Sequence, residues 1–162
     1  GLSVSRVGGQ TQAPAMSALA RPLRLAYAQF LELEVFTRLG GVSDERTMRT
    51  IERGRRIRAI LGQPQYAALS LATQCALLLA VGEGKLDGLD LDATDRFRDG
   101  IGAWVSETVP RSVAAIAASG ALSDDDRADL LAAIDRLVER LRPPEPSEPE
   151  QTGDTPAGEP AP

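Results

Sequence analysis

The chain has 162 residues, enough for about one domain, with 43% apolar and 25% charged residues, the balance of an ordinary globular core. It has no histidine and a single cysteine, Cys75, which excludes histidine triads, His- or Cys-based metal sites and a disulfide framework. The net charge of -5 belongs to one end: residues 143–162 hold four Glu, one Asp and no base, and the rest balance at 18 of each sign.

The elements follow in chain order. "LSVSRV" alternates and is β-branched, so it reads as a strand end closed by Gly8-Gly9. A long helical pattern runs from Ala15 to Leu39. It is apolar on most sides, which predicts a central helix covered by others. Pro22 should kink it or mark its start. Ser43 reads as the N-cap of a second helix, with Asp44 and Glu45 in its first turn, running to about Leu61. Its polar face carries Arg46, Arg49, Arg53, Arg55, Arg56 and Arg58, which reads as a solvated face.

"GQPQY" is a Pro/Gly loop. Ser70 caps a third helix that ends near Gly82, and its run "CALLLAV" is far shorter than the ~20 apolar residues needed to cross a bilayer. A fourth helix spans about Ala93–Thr108, and a short one follows Pro110. Ser123 caps the last, with Asp124, Asp125 and Asp126 in its first turn and Leu130, Leu131, Ile134, Leu137, Val138 and Leu141 on one face. Pro143-Pro144 ends it. The Pro/Glu-rich segment beyond has no large apolar residue and is expected to be disordered. The fold class is all-α: a helical bundle over 15–142, a strand remnant and connector over 1–14, and a tail over 143–162.

Three strings carry a resemblance: "GLSVSRVGG", "LRLAYAQFLELEVFTRLG" and "RGRRIRAILGQPQY". They resemble the α subunit of F-type ATP synthases, from the end of its nucleotide-binding domain into its C-terminal helical domain. The wording "VSDERTMRTIERGRRIRAIL" is most similar to the alternate, often sodium-linked, bacterial branch. The resemblance covers Gly1 to Trp104 well and the last two helices loosely. "APAMSALARP" departs from the Lys-rich stretch usual in the family, and GxxxxGK[ST] is absent from these residues.

The resemblance implies that the chain is a C-terminal piece of a longer regulatory subunit. It implies that Arg6 is an arginine finger reaching a catalytic site on a neighbouring β subunit, with Ser3 also tied to activity. A planar, permanently charged fork suits the charge that develops on a transferring phosphoryl group. Gln63 and Gln65 match a loop lining the adenine pocket of a non-catalytic nucleotide site, although spacing alone reads them as an ordinary Pro loop. Val42–Met48 corresponds to a rotor-facing turn.

The implied partners are the β subunits, the γ subunit of the central stalk and, indirectly, the membrane sector. ATP or ADP with Mg2+ belongs to the intact subunit, with no cofactor expected for these residues alone. The implied place is peripheral, on the cytoplasmic face of a bacterial inner membrane. No nucleic-acid partner is expected, because Asp44, Glu45 and Glu52 interleave with the arginines. The reading from another class is a free-standing helical module that binds an acidic partner through the Arg-rich helix.

Overall fold

The computed structural model describes residues 11–38, 44–62 and 68–142. Among them every regular element is a helix: α1 (Pro14–Arg38), α2 (Glu45–Leu61), α3 (Leu71–Gly82), α4 (Leu91–Thr108), α5 (Pro110–Ser119) and α6 (Asp124–Leu141). The all-α bundle is therefore observed. The expected strand end and the 143–162 tail lie outside the described residues.

The central helix is α3, not α1. Its sequence, LATQCALLLAVG, has no polar face to give to water, and nine of its twelve residues are buried. It packs against all five other helices. Ser70 starts it, accepting from the Thr73 N–H at 3.1 Å, while the Gln74 amide donates to the Leu69 carbonyl at 2.8 Å. Helix α1 buries Leu23 and Phe30 but leaves Leu25, Val35 and Phe36 more than 60% exposed. Its apolar residues run round the circumference, yet only one side meets a neighbour among the described residues.

Pro22 does not divide α1, which is continuous from Pro14. Proline suits that first position, where a missing N–H costs nothing. At Pro22 the lost donor frees the Ala18 carbonyl, and both residues are exposed, so water can satisfy it. The N-cap of α2 is Asp44 rather than Ser43: its carboxylate accepts from the Thr47 N–H at 2.7 Å. A charged acceptor makes a stronger bond to a helix N-terminus than a hydroxyl does. That bond holds the Asp44 carboxyl below its ordinary value.

Helices α1 and α2 meet at a glycine. A Cβ on Gly54 would stand 2.0 Å from Cγ of Phe30, so only a bare backbone lets the fully buried Phe30 ring lie there. Arg58 covers the other side of the ring, 4.8 Å from its centroid. Its guanidinium forks onto Glu34 at 3.0 and 2.7 Å, and those bonds keep Arg58 protonated beyond its ordinary range. Helix α5 ends at Gly120, whose positive φ of 67° suits glycine. The Gly120 carbonyl accepts from the Ala15 N–H at 3.2 Å, tying the start of α1 to the end of α5. Further on, Trp104 of α4 donates to the Ala133 carbonyl of α6 at 2.8 Å, and Ser112 of α5 to Asp129 at 2.8 Å.

Cys75 lies in the middle of α3 with no exposed surface, and burial pushes its thiol up to about 11. The thiolate is the reactive form. In the folded chain Cys75 should therefore resist a disulfide reagent such as DTNB at pH 8, and react in step with the loss of helical signal as urea is added. Complete labelling within mixing time in native buffer would place α3 elsewhere than at the centre.

Candidate functional site

The residues singled out by the sequence lie mostly outside the described set. Ser3 and Arg6 fall in 1–10, and Gln63 and Gln65 in 63–67. The described flanks of the Gln loop are the end of α2 at Leu61-Gly62 and the approach to α3 at Ala68–Ser70. Of the rotor-facing turn, only Asp44–Met48 is described, and Met48 is 40% exposed.

What the structure does assemble is an arginine groove. Arg46, Arg49, Arg53 and Arg56 recur at i, i+3, i+7 and i+10, which places them on one side of α2. They line a groove of about 590 Å³ together with Ala26 and Gln29 of α1 and Asp87 of the turn after α3. Glu52 also lines it. The four bases therefore meet two acids, and the groove is cationic.

The expectation that all six arginines form a solvated face needs correcting. Arg53 reaches the carboxyl end of α3 and donates to the Gly82 carbonyl at 2.9 Å. Helix ends present unpaired carbonyls and negative dipole, so a guanidinium is favourable there. Arg56 donates through Nε to the Leu89 carbonyl at 3.2 Å, and its Nη1 lies 3.8 Å from Asp87. Arg58 is spent on Glu34 and Phe30. Arg46, Arg49, Arg55 and Arg58 are exposed, and Arg49 pairs with Glu45 one turn earlier.

The sequence held a signal for this division. Arg53 and Arg56 stand four residues before Ile57 and Ile60, both buried, so they border the buried stripe rather than oppose it. Elsewhere, Arg98 of α4 reaches the Ala59 carbonyl at 3.1 Å while pairing with Asp95 and Asp99. Those carboxylates, Asp99 first, raise its proton affinity.

No group of three His, Cys, Asp or Glu among the described residues could hold a metal ion. Two of the four groove arginines are already bound to main-chain carbonyls. No described helix is long and apolar enough to cross a membrane.

The two roles of arginine on α2 can be separated by substitution. Arg53→Ala should cost ~1–3 kcal/mol, because it strips a charged donor from part-buried carbonyls. Its buried Nε–H has no partner among the described residues, which holds the value below that of a fully bonded guanidinium. Arg55→Ala should stay within ~0.5 kcal/mol, as exposed substitutions do. Urea denaturation of both variants measures this, and equal effects would return Arg53 to the solvated face.

Comparison with known proteins supplies the family. The family model for the ATP synthase alpha/beta chain, C-terminal domain, matches residues 12–137. A protein of Burkholderia thailandensis, ATP synthase subunit alpha 2, is 44% identical over 144 residues, covering 87% of this chain and 24% of the relative. The subunit alpha 2 of Burkholderia pseudomallei is 46% identical over 117 residues, covering 72% and 18%. That of Syntrophus aciditrophicus is 49% identical over 115 residues, covering 68% and 22%. The chain thus spans about a quarter or less of the relatives it matches. With its six-helix bundle and a match over most of its length, the chain belongs to the ATP synthase α/β C-terminal domain family, on the α-subunit side.

Proposed function

We propose that this chain serves in the α subunit of a rotary ATP synthase, as the helical end of its catalytic head. The observation that carries the reading is the family match over 12–137 joined to relatives named as α subunits. In this reading the head makes or hydrolyses ATP, coupled to proton or sodium transport. The chain works beside β subunits and the γ subunit, peripheral to a bacterial inner membrane on its cytoplasmic face. The membrane sector is reached only through those partners. Val35 and Phe36, exposed near the end of α1 before the turn, and exposed Met48, its last residue, support a rotor-facing role for residues 42–48.

Chemistry enters through the residues before the bundle. Arg6 acts in trans as an arginine finger on the nucleotide held by the neighbouring β subunit, and Ser3 helps orient the same strand end. The guanidinium offers two parallel donors to phosphoryl oxygens, and the benefit is largest where charge develops in the transition state. Gln63 and Gln65 line the adenine pocket of the α subunit's own non-catalytic site, where an amide can both donate to and accept from a purine edge. The ATP or ADP with Mg2+ there requires phosphate-binding residues beyond those described. The free-standing module reading is weaker, because Arg53 and Arg56 are tied to main-chain carbonyls and Arg58 to Glu34.

The test is Arg6→Lys in the reconstituted head. The charge stays and the fork is lost. Arginine fingers contribute ~10³–10⁵ to turnover in related phosphoryl transfer, so a large loss of steady-state ATPase is expected, with assembly intact and nucleotide affinity weakened less. Turnover within about threefold of wild type, under ~1 kcal/mol of barrier, would remove Arg6 from the catalytic role.

A further inference from the structure

We propose that the acidic segment following α6, residues 143–162, docks in the arginine groove of α2 within the same chain. The inference goes beyond the functional reading above and does not need it. It joins three observations.

The first is where the chain leaves the bundle. Arg142 ends the described part of α6, and its Nη2 lies 3.9 Å from the Cβ position of Gly88. Gly88 follows Asp87, which lines the groove and faces Arg56. Lys85 in the same turn pairs with Asp135 of α6 at 2.8 Å. The 83–90 turn is therefore shared by the end of α6 and the mouth of the groove, and the segment begins beside its binding site.

The second is reach. From Arg56 back to Arg46 is ten helical residues, a rise of ~15 Å. Glu145, Glu148 and Glu150 stand three, six and eight residues beyond Arg142. At ~3.1 Å per residue in a polyproline conformation, the eighth residue reaches ~25 Å. Pro143, Pro144, Pro146 and Pro149 favour that extended form, which lowers the entropy lost on docking.

The third is charge. The segment has five acids and no base. The groove has four arginines against Glu52 and Asp87. Arg46 makes no ion pair within 4 Å among the described residues, and Arg49 shares only a solvent-exposed pair with Glu45. Both are available to a second carboxylate. With no large apolar residue to bury, the contact is electrostatic, and salt screens it. Its consequence is competition: an acidic partner reaching for Arg46 and Arg49 must displace the chain's own tail.

The experiment attaches a nitroxide to Ser147→Cys in the full 162-residue chain, with one label per chain checked by mass because Cys75 is buried. The amides of Arg46, Arg49 and Thr50 should lose about half or more of their NMR intensity at ~20 mM salt. They should recover at ~0.5 M, where the screening length falls to a few Å. The Arg46→Glu/Arg49→Glu pair, exposed positions whose change should leave the helical signal intact, should give the recovered intensities already at low salt. A tail that only swings about its exit point would broaden these amides equally at both salt levels and in the charge-reversed chain, and that result overturns the proposal. Equal broadening in a mixture of nitroxide-labelled and isotope-labelled chains would also overturn it, because the tail would then dock on a second copy.

Discussion

The bundle depends on one close approach, the Phe30 ring lying on the bare backbone of α2 at Gly54. A helix normally keeps 8–10 Å from its neighbour's axis, depending on the side chains at the contact. Glycine at the crossing removes one layer of side chain and lets a large aromatic fill the space. Because the ring is fixed, Arg58 can lie over it and fork onto Glu34 at the same time. Because α2 is held at that position, Arg53 and Arg56 reach α3 and the turn after it. The wall that Ala26 and Gln29 give to the groove exists for the same reason. A helix-breaking residue in the middle of α2 is thus used for packing, against an intrinsic cost of roughly 1 kcal/mol relative to alanine.

Much of the fold was legible in the sequence because its signals are local. Ser70 and Ser123 cap where the sequence places them, Pro110 opens α5, and the spacing of Leu130, Ile134, Leu137 and Val138 marks the buried face of α6. The misplacements are tertiary. Helix α1 has more apolar residues than its neighbours can cover, so counting them selects the wrong helix as the centre. Helix α3 is short, but it is apolar on every side, and that property identifies the centre. Gly54 carried no readable signal, since its role is set by a ring 24 positions away in the chain. The arginines were legible only in part: the i, i+3, i+7, i+10 stripe is in the sequence, but which members turn inward is decided by α3 and the 83–90 turn.

The candidate catalytic positions divide from the bundle along the same line. Ser3, Arg6, Gln63 and Gln65 drew attention through resemblance, and the roles proposed for them call on partners from other subunits or other parts of the subunit. Nothing local in "SVSR" or "GQPQY" distinguishes them from a strand end and a loop. The bundle, in contrast, is built from contacts within these residues, and the arginine groove on α2 is a product of how it packs. A domain that holds its shape with part-buried arginine ties can present exposed arginines beside them without losing stability when those are engaged.

The packing of α1 on α2 rests on the Phe30–Gly54 contact, and a double-mutant cycle measures it. Alone, Phe30→Ala leaves a cavity and should cost ~3–5 kcal/mol. Alone, Gly54→Ala gains helix propensity but forces the ring aside, an overpacking cost of ~1–3 kcal/mol. With the ring gone, the alanine at position 54 meets far less resistance and fills part of the void. Urea denaturation of the four chains should therefore show Gly54→Ala less costly in the Phe30→Ala background by at least ~1 kcal/mol, the coupling expected of residues in contact. An effect of Gly54→Ala equal in both backgrounds to within ~0.5 kcal/mol, as for independent sites, would contradict the account.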